Sequence, residues 1–183
     1  MAPAGHPAYE SMLYYDQLRY RLIPYVYSLA GQAYHQNSTL MRGLVLDFNA
    51  DPAVRNIADQ FMLGPSLLVK PVTDYKARSR KLYLLATTGW FDFYSGKYLP
   101  GGQALTADAP LERMPLCVRE GSILPFGPAM QYTAEKSADP ITLYVCTEKT
   151  PPSRSTRTRA RTTTMRRAPS PTSRSATTKA PKP

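Results

Sequence analysis

Gly64-Pro65-Ser66-Leu67-Leu68-Val69-Lys70-Pro71-Val72 divides the sequence into two textures. The stretch is apolar, of strand length and bracketed by turn-forming residues, so it predicts a short strand over Ser66–Val72. Downstream, similar runs recur at intervals of about 8–12 residues, the texture of an antiparallel sandwich or barrel. They are Lys81–Leu85, Trp90–Tyr94, Gln103–Ala107, Leu116–Val118, Ser122–Leu124 and Ile141–Cys146. Gly and Pro signals such as Ser95-Gly96, Gly101-Gly102, Glu120-Gly121 and Asp139-Pro140 separate them. An all-β sandwich over residues 66–147 is the expectation.

Upstream of Gly64 the period lengthens. Leu18, Leu22, Val26, Leu29 and Ala33 share one face of a 3.6-residue period, which predicts helix from Ala8 to about Gln36. Pro24 removes a backbone donor and crowds the preceding turn, so the helix should kink or break near Leu22–Ile23. Leu40–Phe48 is a nearly continuous apolar run and reads as a strand buried on both faces, as in parallel sheets. Asp51 and Pro52 form a cap and first-turn pair for a short helix through Val54–Leu63. Residues 1–65 therefore read as an α/β piece. With no neighbouring strand to pair with, its edge and apolar face are expected to be exposed and to promote aggregation.

The chain's 183 residues carry a formal charge of +10. Residues 1–147 contribute only +1 of it, and residues 148–183 contribute +9. From Glu148 to Pro183 there is no Leu, Ile, Val, Phe, Tyr or Trp, so this tail cannot bury enough apolar surface to order its backbone and is expected to be disordered. Its arginines would suit an acidic surface or nucleic acid, but no aromatic is interleaved for base stacking, so no specific nucleic-acid partner is expected. No run of 18 apolar residues is present, so no membrane-spanning helix is expected. No leader of the secretory kind is expected either. The length is too short for a complete (β/α)₈ barrel, which needs roughly 250 residues and at least about 200.

Chemistry-bearing residues are sparse. His6 and His35 are far apart, and Cys117 and Cys146 lie singly in apolar strands, where inert buried thiols are expected. No metal set, phosphate-binding glycine loop or nucleophile elbow occurs, and no cofactor is expected. Three acids are candidates for a carboxylate pair. Asp47 ends the apolar run, where barrel enzymes place functional groups, whereas Asp59 and Asp92 fit surface or turn positions. Trp90, Phe91, Phe93, Tyr94 and Tyr98 could instead serve a carbohydrate-binding face, although alternation in a sandwich would send half of them into the core.

Read in order, several blocks resemble glycoside hydrolase family 31, the α-glucosidases and α-xylosidases. They are Leu18-Arg19-Tyr20-Arg21-Leu22-Ile23-Pro24-Tyr25, Met41-Arg42, Asp59-Gln60-Phe61-Met62-Leu63-Gly64, Leu67-Leu68-Val69-Lys70-Pro71-Val72, Gly89-Trp90-Phe91-Asp92-Phe93-Tyr94-Ser95-Gly96 and Pro115-Leu116-Cys117-Val118-Arg119-Glu120-Gly121-Ser122-Ile123-Leu124-Pro125. Thr87-Thr88-Gly89-Trp90 and Gly64-Pro65-Ser66 resemble the bacterial α-xylosidase branch, while Gly43 stands where the family usually has Pro. The resemblance runs from about Gly5 to Thr147. It implies that residues 1–65 are the last helix and strand of a (β/α)₈ catalytic barrel and that 66–147 are an incomplete first sandwich domain after it. The family's two catalytic aspartates and its sugar-holding residues lie on earlier barrel strands. No catalytic, substrate-binding or metal-binding residue is therefore carried over, and no turnover is expected. The intact enzyme would hydrolyse α-linked xylose or glucose with retention, its partner being an oligosaccharide.

The resemblance also bears on the tail. One base out of register, codons for Glu148–Arg167 can read Gly-Lys-Asp-Ala-Ala-Phe-Thr-Leu-Tyr-Glu-Asp-Glu-Gly-Thr-Asn-Tyr-Asn-Tyr-Glu-Lys-Gly, which is similar to a family strand pair. Residues from about Cys146 onward are therefore expected to be frame-shifted.

Overall fold

The computed structural model describes residues 3–135 and 139–147. The expectations for the tail, disorder and frame slip alike, lie outside the described residues.

Two helices open the fold. Helix α1 spans Pro7–Arg21, with the His6 ring accepting from the Ala8 amide at 3.2 Å and Pro7 in the first turn. Helix α2 spans Ile23–Gln36. The chain breaks at Leu22, as Pro24 dictates: the proline falls in the first turn of α2, where a missing N–H costs nothing. Asn37 ends α2 in the left-handed conformation at φ 53°.

Strand β1 is only Met41–Gly43, and a helical turn, α3, follows over Leu44–Asp47. This corrects the reading of Leu40–Phe48 as a doubly buried parallel strand. Of the run only Leu44 and Phe48 are buried, while Val45 and Leu46 are 49% and 63% exposed. Positions 44 and 48 lie one helical turn apart on one face, and Leu46 between them is exposed, whereas strand alternation would bury it with them. The strand also has a neighbour: β1 pairs antiparallel with β2, Phe61–Leu63. The Asp51–Pro52 cap is present, with Asp51 accepting from Ala53 N at 3.0 Å, but it starts a single 3₁₀ turn over Pro52–Asn56 rather than a helix reaching Leu63.

The remaining strands are β3 Leu67–Val69, β4 Ser79–Leu84, β5 Trp90–Asp92, β6 Tyr98–Leu99, β7 Gln103–Asp108, β8 Leu116–Arg119, β9 Ser122–Phe126 and β10 Thr142–Cys146. Six of the ten form one antiparallel sheet in the order β1-β2-β3-β8-β5-β6. Ribbons β4-β7 and β9-β10 complete the set, and among the described residues no barrel closes.

Strands β3 and β8 sit at the centre and are buried on both faces. Successive strand residues point to opposite sides. Leu67, Val69, Leu116 and Val118 accordingly meet Leu18, Leu22, Tyr25 and Leu29 of the helices together with Leu124 and Phe126 of β9. Leu68 and Cys117 face the other way, toward Leu82 and Leu84 of β4, Trp90, Met62 and Leu44. The doubly buried strand of this fold is thus β3, not the run at Leu40–Phe48. One sheet side carries the helices of the N-terminal part, and the strands that follow are compatible with a β-sandwich domain. The sheet also runs without interruption across residue 65, from β2 to β3.

Candidate functional site

Each of the weighed acids has a definite place. Asp47 ends α3 and holds Arg42 of β1 at 2.6 Å, pinning the helical turn to the edge strand. Its Oδ2 and the Arg42 Nε are buried without a hydrogen-bond partner. Asp92 ends β5 and caps the turn to Gly96: its Oδ1 accepts from Ser95 N at 2.7 Å, Ser95 Oγ at 2.6 Å and Tyr94 N at 3.2 Å. Asp59 lies before β2 and binds two buried cations, Lys70 Nζ at 2.5 Å and an Arg80 guanidinium nitrogen at 2.7 Å. Arg80 also donates to Thr73 Oγ1 at 3.0 Å and pairs with Asp74. The hydrogen bond from Lys70, aided by the charges of Lys70 and Arg80, holds the Asp59 carboxyl below its usual range. A general acid for glycoside cleavage needs the opposite displacement. None of the ion pairs or hydrogen bonds found for Asp47, Asp59 and Asp92 joins one of these acids to another.

The histidines and cysteines are equally committed. His6 caps α1, and His35 in the last turn of α2 meets the Tyr34 ring edge-on at 4.9 Å. Cys117 is a free buried thiol pushed up to about 12 by burial, and Cys146 is half-buried and also raised. Among the described residues no group of three His, Cys, Asp or Glu could hold a metal ion.

The aromatic set does not form a flat platform. Trp90 is fully buried and donates Nε1–H to the Leu85 carbonyl at 3.2 Å. Phe93 and Tyr94 meet edge-on at 86°, and Phe91 and Tyr98 at 69°. Tyr94 belongs to a small network: its hydroxyl lies 3.0 Å from that of Tyr15 and donates to the Met114 carbonyl at 2.9 Å, while Met114 N donates to Tyr15 Oη at 2.5 Å. Burial, then the Tyr15 hydroxyl, holds the Tyr94 phenol far above its usual range.

These residues border a groove of about 720 Å³ between α1, β5 and the β9-β10 ribbon. Phe91, Phe93, Val118, Leu124 and Phe126 supply apolar walls. Arg21 lies over the Phe126 ring at 5.2 Å and Arg113 over the Tyr94 ring at 5.1 Å, so two cations stand at the rim. With Asp92 consumed by its turn, the groove is suited to binding apolar and anionic groups rather than to acid–base chemistry.

Sequence reasoning overlooked the Asp59–Lys70–Arg80 cluster. Its signal was Lys70 in the middle of an apolar strand-like run, since a lysine that is 5% exposed must find an anion. The groove has no such mark, because its walls come from α1, β5, β8, β9 and β10, which are far apart in the sequence.

Comparison with known proteins places this arrangement. Residues 37–124 match the glycosyl hydrolase family 31 C-terminal domain. An α-xylosidase of Saccharolobus solfataricus is 40% identical over 136 residues, which are 74% of this chain and 19% of that protein. The crystal structure of a family 31 α-xylosidase from Xanthomonas citri superimposes with a TM-score of 0.78 at 50% identity, covering 80% of this chain and 16% of that one. A Flavobacterium johnsoniae family 31 dextranase, solved with glucose, gives a TM-score of 0.69 at 36% identity over 72% of this chain and 16% of its own. The chain thus spans less than a fifth of the length of these relatives. Family match, sequence identity and superposition agree: this chain belongs to glycoside hydrolase family 31, over its C-terminal domain region.

Proposed function

We propose that this chain is a non-catalytic C-terminal portion of an enzyme that hydrolyses α-linked xylose or glucose with retention, and that it has no glycosidase activity alone. The observation that carries this is the combination of high identity to α-xylosidases with an alignment confined to a small share of their length. The roles found for Asp47, Asp59 and Asp92 support it, since each acts as an ion-pair partner or turn cap. In this reading residues 1–65 are the end of the catalytic barrel and 66–147 brace it. Apolar side chains left at the surface on α1, β1 and α3, all within residues 1–65, support neighbours from the rest of a barrel: Met12, Met41 and Leu46 are 67%, 62% and 63% exposed. The basic tail from about Cys146 is proposed to be a reading-frame slip, and coding DNA that yields no family-like frame after restoring one base would refute that part.

The test of function is release of nitrophenol from aryl α-xyloside and α-glucoside by the purified chain. No release is expected, and turnover that survives purification would overturn the proposal. Titration calorimetry with xylose and xyloglucan oligosaccharides separates it from a free-standing sugar-binding module, for which saturable heat would be the signature.

A further inference from the structure

Helix α1 is seated on the body at few points. Leu18 is the one buried residue of its fifteen, whereas α2 buries Tyr25 and Leu29. Open space lies along both flanks of α1. Tyr14, Gln17, Leu18 and Arg21, spaced as one helical face, wall the groove of about 720 Å³, and Glu10 and Leu13 border a cleft of about 330 Å³ toward Glu112. On the other flank Tyr9, Met12 and Arg19 border a cleft of about 650 Å³ toward Met114. Besides Leu18, the seat between these spaces is polar. Tyr94 gives its one hydroxyl proton to the Met114 carbonyl, so the Tyr15 hydroxyl donates to Tyr94 Oη at 3.0 Å and accepts from Met114 N at 2.5 Å. The three groups close a ring of hydrogen bonds. At the far end α1 is held in place: the Arg21 carbonyl accepts from Gly127 N at 2.7 Å, and the helix breaks at the buried Leu22.

We propose that α1 is a hinged strap: it swings open as one unit about Leu22, Tyr15 is its latch, and its opening unroofs the groove beside β9 and β10. Three features make this opening cheaper than unfolding the body. The break ahead of Pro24 lets α1 depart without unwinding α2. Only Leu18 leaves the first interior, because Leu22, Tyr25 and Leu29 stay packed on β3 and β8. The remaining apolar side chains of α1 have little burial to lose, since Tyr9, Met12 and Leu13 are 38%, 67% and 39% exposed in the closed form. Tyr15 lies seven residues from the hinge, about 10 Å along the helix at 1.5 Å per residue, so the latch acts on a lever arm. When it releases, Tyr14, Gln17 and Leu18 leave the groove wall, and Cys146 on the facing ribbon gains access to solvent.

Native-state hydrogen exchange on the full chain, read by mass spectrometry, tests the strap. Amides of α1 are expected to exchange at least 100-fold faster, relative to their intrinsic rates, than those of α2 around Leu29 and of β3. Sub-denaturing urea should speed α2 and β3 while leaving α1 within twofold, because opening the strap exposes little surface. Leu68→Val separates the strap from global unfolding. It loosens the second interior, which stays closed when α1 opens, so it should speed β3 and α2 at least threefold and leave α1 unchanged. Tyr15→Phe keeps the ring and removes the latch, so it should speed α1 at least fivefold. It should also speed thiol labelling of Cys146 at least threefold. Should Leu68→Val fail to fold, the urea series on the wild type decides alone. Exchange of α1 that follows α2 through urea or through Leu68→Val would overturn the separate opening, and α1 rates indifferent to Tyr15→Phe would overturn the latch. Cys146 labelling that ignores Tyr15→Phe would overturn the unroofing of the groove.

Discussion

Replacing Asp59 by Asn tests whether the buried cations beneath it need a carboxylate. Lys70 and Arg80 have side chains only 6% and 8% exposed, and Asp59 holds them at 2.5 and 2.7 Å. Breaking a buried pair by removing one member costs about 3–5 kcal/mol, because the other charge stays desolvated. Two features reduce that here. Asp59 itself is 45% exposed, so water reaches the vacated side, and Asp74 remains beside Arg80. The expected loss is therefore about 2–3 kcal/mol, which for a chain of this size lowers the melting midpoint by about 5–10 °C. Trp90, the single tryptophan and fully buried, reports unfolding by a red-shifted emission in urea or heat. Adding Lys70→Met to Asp59→Asn removes the stranded ammonium and should restore at least half of the loss. The pH dependence has a defined sign. The folded carboxyl is held below the ordinary value of 3.8, so its contribution is complete above that value and fades as the pH falls through the lower, folded one. The wild type should thus converge on the Asn variant in acid. An Asp59→Asn protein within about 0.5 kcal/mol of wild type at neutral pH would show that the cluster behaves as a surface pair and refute the reasoning.

Other outcomes follow from single contacts. Gly64→Ala should destabilise by more than about 2 kcal/mol in the same urea assay, because φ is +60° and the added Cβ would lie 2.6 and 2.7 Å from the Leu29 methyls and against the Tyr25 hydroxyl. Tyr25→Phe should cost about 1–3 kcal/mol, since its hydroxyl donates to the Leu63 carbonyl at 2.8 Å and accepts from Ser66 N at 3.3 Å. With a thiol reagent at mildly alkaline pH the native chain should label at Cys146 well before Cys117, whose thiol is buried and raised to about 12, and the two should equalise in denaturant.

The sequence made some of this legible and concealed the rest. Pro24 placed the helix break because its constraint is local, and the Asp51–Pro52 pair marked a real cap for the same reason. Most strands after Gly64 fell where turn signals bounded them, within a few residues. The two-residue strand Tyr98–Leu99 is too short to show a period. Leu40–Phe48 misled because a short apolar run does not distinguish strand from helical turn, and only the exposure of Leu46 between the buried Leu44 and Phe48 decides it. At the candidate site, the three acids were visible as residues but their engagements were not, because Asp59 finds Lys70 and Arg80 through the packing of separate strands.

The central strand β3 gives the molecule an unusual indivisibility. Leu67 and Val69 are shared with one interior and the intervening Leu68 with the other, so three consecutive residues tie both interiors to a single backbone. Losing either interior would strip β3 of its packing on one face and weaken its hold on the other, so the two interiors are expected to melt together. A longer protein built around this segment would inherit a wedge that passes disturbance from either flank to the opposite one.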